Sequence, residues 1–176
     1  MALHWIVALL ILGSYTSVYF RHWFTAKATP ANLTAIQIHI ACGISIGTFV
    51  VLRLAWRLLN RPPALPAGPA WEHLAARLSH GLLYILMIAM PLSGYGATKR
   101  QSAYLGFVPP FPNSAAYKWL VTDTLGISWS AWEKSLDLVH YVSGAYLIWP
   151  LVLIHTAAAL YHQFGKRNGL LRRMWF

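Results

Sequence analysis

Acidic residues are scarce in this chain. Its 176 residues hold only four Asp and Glu against fourteen Lys and Arg, and a single cysteine. The lone Cys42 excludes an internal disulfide and any metal cage built from thiolates. Charged residues of both signs make up only 10% of the chain while 57% is hydrophobic, which sets it apart from an ordinary soluble domain. A formal charge of +10 raises the question of nucleic acid. The basic residues gather at the ends of apolar runs, where lipid headgroups account for them, and no stretch interleaves bases with aromatics. Nucleic acid is therefore excluded as a partner. There is no internal repeat and no low-complexity tract.

Long apolar runs are plentiful. Four of them, about 3–20, 36–59, 79–97 and 138–164, approach or exceed the roughly 18–20 residues that cross a bilayer. The first has no basic leader and no small-residue cleavage pattern before Tyr19-Phe20-Arg21-His22, so it is expected to stay as a span. A chain inside lipid must satisfy its own backbone hydrogen bonds, so four runs mean four helices. The expected fold is all-α: an integral-membrane four-helix bundle forming a single domain over residues 1–176. Connections are expected at 21–35, at a proline-rich linker beginning "NRPPALPAGPAW", and at 98–136, whose tryptophans and tyrosines suit the membrane interface. With both termini inside, the inner face holds Arg57, Arg61, Arg77, Lys166, Arg167, Arg172 and Arg173, and the outer face Arg21, Lys27, Lys99, Arg100, Lys118 and Lys134, mostly in the long loop. That bias puts both termini in the cytoplasm.

Eight histidines are many for such a chain. An imidazole within a bilayer is costly unless it has a partner or a task, and the neutral ring is a good ligand for iron, including haem iron. Alternating helices place His4 and His155 at one depth near the inner side, and His39 and His140 at another near the outer side. His140 and His155 lie fifteen residues apart, about 22 Å along a helix. Two histidine pairs, one above the other, are what a transmembrane electron path needs. For any one of these histidines a hydrogen-bonded packing role is the alternative.

Fifteen α-helical steps overshoot the starting direction by about 60°, whereas fourteen return to within about 40°. Pro150 lies between the two histidines and removes a backbone donor opposite Tyr146. A bulge that absorbs one residue would bring both rings to one face; a straight helix through Tyr146 to Pro150 would refute this. Arg53, fourteen residues after His39, falls on nearly the same face at the inner depth, where a haem propionate would satisfy it; snorkelling to the interface is the alternative. Gly43 and Gly47 would leave room for a flat macrocycle or simply allow close helix packing. His22 and His73 read as solvated loop residues. His80 and His162 fall at the inner rim, where they could bond a quinone headgroup or form a plain polar edge.

The stretches "LHWIVALLILGSY", "IHIACGISIGTFVVLRL", "HGLLYILMIAMPLSGY", "HTAAALYHQF" and "NGLLRRM" resemble the bacterial cytochrome b561 family, and the resemblance runs over essentially the whole chain. It implies a four-helix inner-membrane protein with two b haems, ligated at His4, His39, His140 and His155. It also implies roles near the quinone for His162 and His80. The spacing of His140 and His155 is one longer than the family's usual fourteen, and His4 stands only three residues after the first residue. Within the family the chain resembles the superoxide oxidases, which pass an electron from superoxide at the periplasmic face to ubiquinone. Arg21, Lys27, Lys99, Arg100 and Lys118 would then steer the anion inward. The haems would carry the redox chemistry, with no protein base or nucleophile required. Two other functions remain: a haem b anchor subunit of a quinone-linked dehydrogenase or hydrogenase complex, and a haem-free transporter or scaffold. The last is disfavoured because no acid falls within the four runs except Asp137 at the very edge, and cation routes normally use carboxylates.

Overall fold

A computed structural model describes residues 2–60 and 68–174, with the backbone alone for residues 173 and 174. Most of the proline-rich linker and Arg61 lie outside the described residues, as does the side chain of Arg173. Four long helices are present: the first Ala2–Phe24, the second Pro30–Leu59, the third Ala70–Ala97 and the fourth Trp129–Gly165. Each exceeds the length that spans a bilayer, and each runs past the apolar stretch that announces it. Two of the extra starts are fixed by side-chain caps. Thr29 Oγ1 accepts from Asn32 N–H at 3.3 Å, with Pro30 supplying the first helical position, and Ser128 Oγ accepts from Ala131 N–H at 3.4 Å.

These longer helices revise three expectations. His22 is in the last turn of the first helix and His73 is in the first turns of the third, so neither sits in a loop. Glu72 and Glu133 are helical too, so Asp137 is not the only acid on the four helices. The first connection shrinks to residues 25–29. It is tied by Asn32, whose Nδ2 donates to Thr25 Oγ1 at 2.9 Å and whose Oδ1 accepts from Arg21 Nε at 3.2 Å.

Successive helices pack side by side in antiparallel order. The first also meets the fourth, through Tyr15 O–H donating to Gly144 O and Trp149 Nε1–H donating to Tyr19 Oη, both at 2.8 Å. The bundle therefore closes on itself. One end carries both chain termini and the other carries the connections 25–29 and 98–128; they are the termini end and the loop end below. Val7, Ile46 and Val50 form the packed centre, with Phe49, Tyr84 and Met87 against it. Leu9, Leu12, Val51, Leu92 and Leu153 face outward, which costs nothing where the surroundings are lipid.

The 98–128 connection is a folded cap rather than a loose loop. Phe111 stacks on Trp132 and meets Tyr95 edge-on. Trp132 Nε1–H donates to Gly96 O at 3.0 Å, and Tyr95 O–H to Pro109 O at 2.8 Å. From the second helix, Gln37 accepts from Ala103 N–H at 2.7 Å and donates to Gln101 O at 3.3 Å.

The fourth helix is not straight. Over Ser143–Leu147 it widens to π geometry, and Ile148 N–H reaches back five residues to Ser143 O. Gly144 O, released by the widening, accepts from Tyr15 instead. The bulge absorbs one residue between His140 and His155, one turn earlier than Pro150 itself. Its position follows from the proline: with no N–H at 150, the carbonyl at 146 loses its helical donor, and the strain relaxes into the preceding turn.

Candidate functional site

The loop-end pair is built by three helices. His39 on the second and His140 on the fourth face each other with ring centroids 5.9 Å apart and planes at 88°. Two imidazoles sharing one metal ion through nitrogen bonds of about 2 Å each stand with centroids roughly 6 Å apart. The outward nitrogens are occupied. His140 Nδ1 is 3.0 Å from Met90 O and 3.3 Å from Ser93 Oγ, and His39 Nδ1 is 2.9 Å from Ser14 Oγ and 3.3 Å from Ser14 O. A carbonyl only accepts, so each Nδ1 carries the proton and each Nε2 keeps its lone pair for a ligand bond.

Space completes this site. A Cβ on Gly94 would lie 2.7 Å from Cε1 of His140, whereas one on Gly43 would meet nothing within 4 Å. A cavity of about 530 Å³ lies beside the pair, lined by Gly43, Met87, Pro91 and Gly94 among others. That volume is within the roughly 300–1,000 Å³ of ligand pockets. Arg21, Lys99 and Arg100 line the same cavity, as do Glu133 and Asp137. Lys27 and Lys118 are exposed elsewhere, so three of the five expected steering residues come together and two do not.

The termini-end pair has the same separation and a different setting. His4 and His155 have centroids 6.2 Å apart with planes at 63°. His4 Nδ1 is buried with no hydrogen-bond partner among the described residues. His80 on the third helix stands edge-on to His155 at 5.3 Å, making this a cluster of three rings. Arg53 and Arg57 hold their guanidinium groups 5.5 and 5.4 Å from the ring centroid of Tyr84. Arg53 is within Coulombic reach of His4, His80 and His155. No described carboxylate forms an ion pair with it, so its charge is free for an anionic group from outside the chain.

His80 and His162, expected to share a role, sit in different surroundings. His162 Nδ1 is 2.8 Å from Asn168 Nδ2, and its Nε2 is 3.9 Å from Glu72 Oε2. Lys166 Nζ is bonded to Glu72 Oε1. Ser14, Met90 O, Gly94 and Glu72 were not singled out from the sequence.

Among the described residues no group of three or more His, Cys, Asp or Glu side chains could hold a bare ion. Pairs of imidazoles are what the bundle offers, which suits a metal whose remaining bonds come from a macrocycle. The donors, their spacing, the cavity at the loop end and the orphaned nitrogen of His4 all fit haem iron.

Comparison with known proteins agrees. A family model described as prokaryotic cytochrome b561 matches residues 1–176. Cytochrome b561 homolog 1 of Escherichia coli K12 is 30% identical over 179 residues, covering 98% of this chain and 92% of the relative. Cytochrome b561 homolog 2 of the same strain is 25% identical over 184 residues, covering 98% and 87%. A probable superoxide oxidase CybB of Yersinia pestis is 27% identical over 175 residues, covering 98% and 91%.

Proposed function

Because the chain belongs to the prokaryotic cytochrome b561 family, we propose that His39 and His140 hold one haem b at the loop end and that His4 and His155 hold a second at the termini end. The family itself carries the coarser statement: this is a multi-pass inner-membrane protein of haem b electron transfer. We place the loop end at the periplasm and both termini in the cytoplasm, following the charge bias of the sequence.

Haem bound at these positions supplies one-electron storage at two depths. The chain's part is to hold, orient and insulate. Met90 O and the Ser14 oxygens fix the tautomer of the loop-end rings, and Gly94 gives His140 its room. Arg53 offers a cation to a propionate. The lipid-facing leucines keep the bundle interior out of water.

The reaction we assign is superoxide oxidation coupled to ubiquinone reduction. Two superoxide ions give up one electron each and leave as dioxygen; one quinone takes both electrons and two protons from water to become a hydroquinone. Two features support this reading over a generic cytochrome. Arg21, Lys99 and Arg100 line the loop-end cavity, where positive charge draws in a small anion, and one relative bears the name of a probable superoxide oxidase. His80 and His162 are assigned to the quinone at the other end.

The observation that carries the proposal is the loop-end pair, 5.9 Å between centroids, with both Nδ1 atoms engaged and both Nε2 lone pairs left for a ligand bond. Its test is a reduced-minus-oxidised spectrum of the purified chain, expected to show a low-spin b-type band reducible by superoxide with no partner protein. A band that stays oxidised until a partner subunit is added would return the chain to the anchor-subunit reading. No b-type band at all would refute both.

A further inference from the structure

Resting on the quinone reading above, we infer that Glu72 is the positioning residue of the quinone-reducing end, holding His162 so that its Nε2 proton is presented to the headgroup. Quinone reduction consumes two protons for every two electrons, and superoxide oxidation releases none. Both protons must therefore come from water, and they are needed where the electrons arrive. A proton donor has to stand at the termini end.

Of the four acids, Asp123 lies in the loop-end cap, and Glu133 and Asp137 begin the fourth helix at that same end. Glu72 alone lies at the termini end. Its side chain is only 12% exposed, which is unusual for a carboxylate in the first turn of a helix at a membrane surface. Lys166 Nζ is bonded to it from the end of the fourth helix. A plain interhelical latch needs nothing more than that pair.

The ring beside it carries the argument further. Leu170 N–H donates to Asn168 Oδ1 at 3.2 Å, which turns the amide nitrogen of Asn168 to His162 Nδ1 at 2.8 Å. An amide nitrogen only donates, so Nδ1 accepts and the ring proton sits on Nε2. That is the atom facing Glu72 Oε2 across 3.9 Å, a gap too long for a hydrogen bond. The N–H thus stands beside a carboxylate without being consumed by it. When water delivers a second proton to Nδ1, displacing the Asn168 amide, the Nε2 proton can pass to a quinone oxygen. The ring is left neutral with its proton on Nδ1, and exchange with water restores the Nε2 proton and the Asn168 bond before the next transfer. Glu72 keeps the ring turned to that task throughout.

A second observation points to a ligand at this level. Gln163 Oε1, on the residue after His162, is buried and has no hydrogen-bond partner among the described residues. A carbonyl oxygen needs a donor, and of the two redox forms of a quinone only the hydroquinone has a hydroxyl to give. Donor and acceptor therefore stand at the same depth of the bundle, one residue apart along the fourth helix.

The test uses the purified haem-loaded protein with a short-chain ubiquinone analogue and superoxide. Glu72→Gln is expected to lower kcat for quinone reduction about tenfold, a fraction of what general acid catalysis supplies. The quinone KM, the haem content and the rate of superoxide-driven haem reduction without quinone are expected to hold within twofold. Glu72→Asp, which keeps the charge but withdraws it, should lose only two- to threefold. A wild-type protein whose haem accepts electrons but which leaves the quinone oxidised removes the quinone reading, and this inference with it. A wild type that reduces quinone no faster than Glu72→Gln overturns the inference alone. So does an equal fall in Lys166→Met, which would make the effect a property of the latch. If Glu72→Gln fails to accumulate, Glu72→Asp decides: an unchanged kcat overturns the inference.

Discussion

The two histidine pairs have nearly the same separation, 5.9 and 6.2 Å between centroids, and differ in almost everything around them. At the loop end each ring is pinned by a backbone carbonyl and has a serine hydroxyl within reach, Ser14 for His39 and Ser93 for His140, and a folded cap closes the bundle. At the termini end His4 Nδ1 has no hydrogen-bond partner among the described residues, and a third histidine crowds His155. The first pair is a finished site before any cofactor arrives, and the second leaves more of its order to the group it would hold. Under the proposed function, the pinned pair would stand where a small anion enters and the less supported pair where a quinone docks.

Removing a ligand breaks the comparison most severely. His140→Ala is expected to reduce the haem content from two per chain to one and to slow superoxide-driven reduction by more than the roughly 10–100-fold that loss of an outer partner costs a metal site. Haem quantification and stopped-flow absorbance check both parts, and equal loss from the two sites would contradict their independence. His4→Ala should also leave one haem, whereas His80→Ala should leave two. A halved content in His80→Ala would make His80, and not His4, the partner of His155.

Gly94→Ala sharpens the contrast by steric means alone. The added methyl would stand 2.7 Å from the His140 ring, and overpacking of this kind typically costs about 1–3 kcal/mol. Haem at the loop end should fall below half while the termini end stays loaded, read from the two components of a redox titration. The smallest effect is expected from Ser14→Ala, at about 1 kcal/mol of stability, because the Ser14 carbonyl still holds His39; thermal melting in detergent measures it.

Depth along four helices was legible in the sequence, and with it the pairing of His4 with His155 and of His39 with His140, because helical rise depends only on residue number. The bulge in the fourth helix was legible too, from fifteen residues where fourteen keep a common face, with Pro150 between. Its location at Ser143–Leu147 was legible only in part: Pro150 sends the strain into the preceding turn, but the carbonyl freed there, Gly144 O, is taken up by Tyr15 of another helix, which residue number does not announce. Gly94 is silent for a similar reason: the ring that forbids a side chain there comes from forty-six residues away. The helix ends were misjudged where Glu72, His73 and Glu133 extend a helix beyond its apolar run, because capping and interfacial solvation, and not hydropathy, decide the last turns. Of the five cations expected to steer an anion, Lys118 diverges from the cavity because the fold of the 98–128 cap is set by aromatic contacts that no periodicity announces, and Lys27 because it stands exposed in the short 25–29 connection.

The most direct measurement of the central claim is the ratio of haem b to protein in the purified, detergent-solubilised chain. Two haems per chain, both low-spin with two imidazole ligands, are what paired histidines at two depths require. A ratio of one, or a high-spin spectrum at either site, would contradict it.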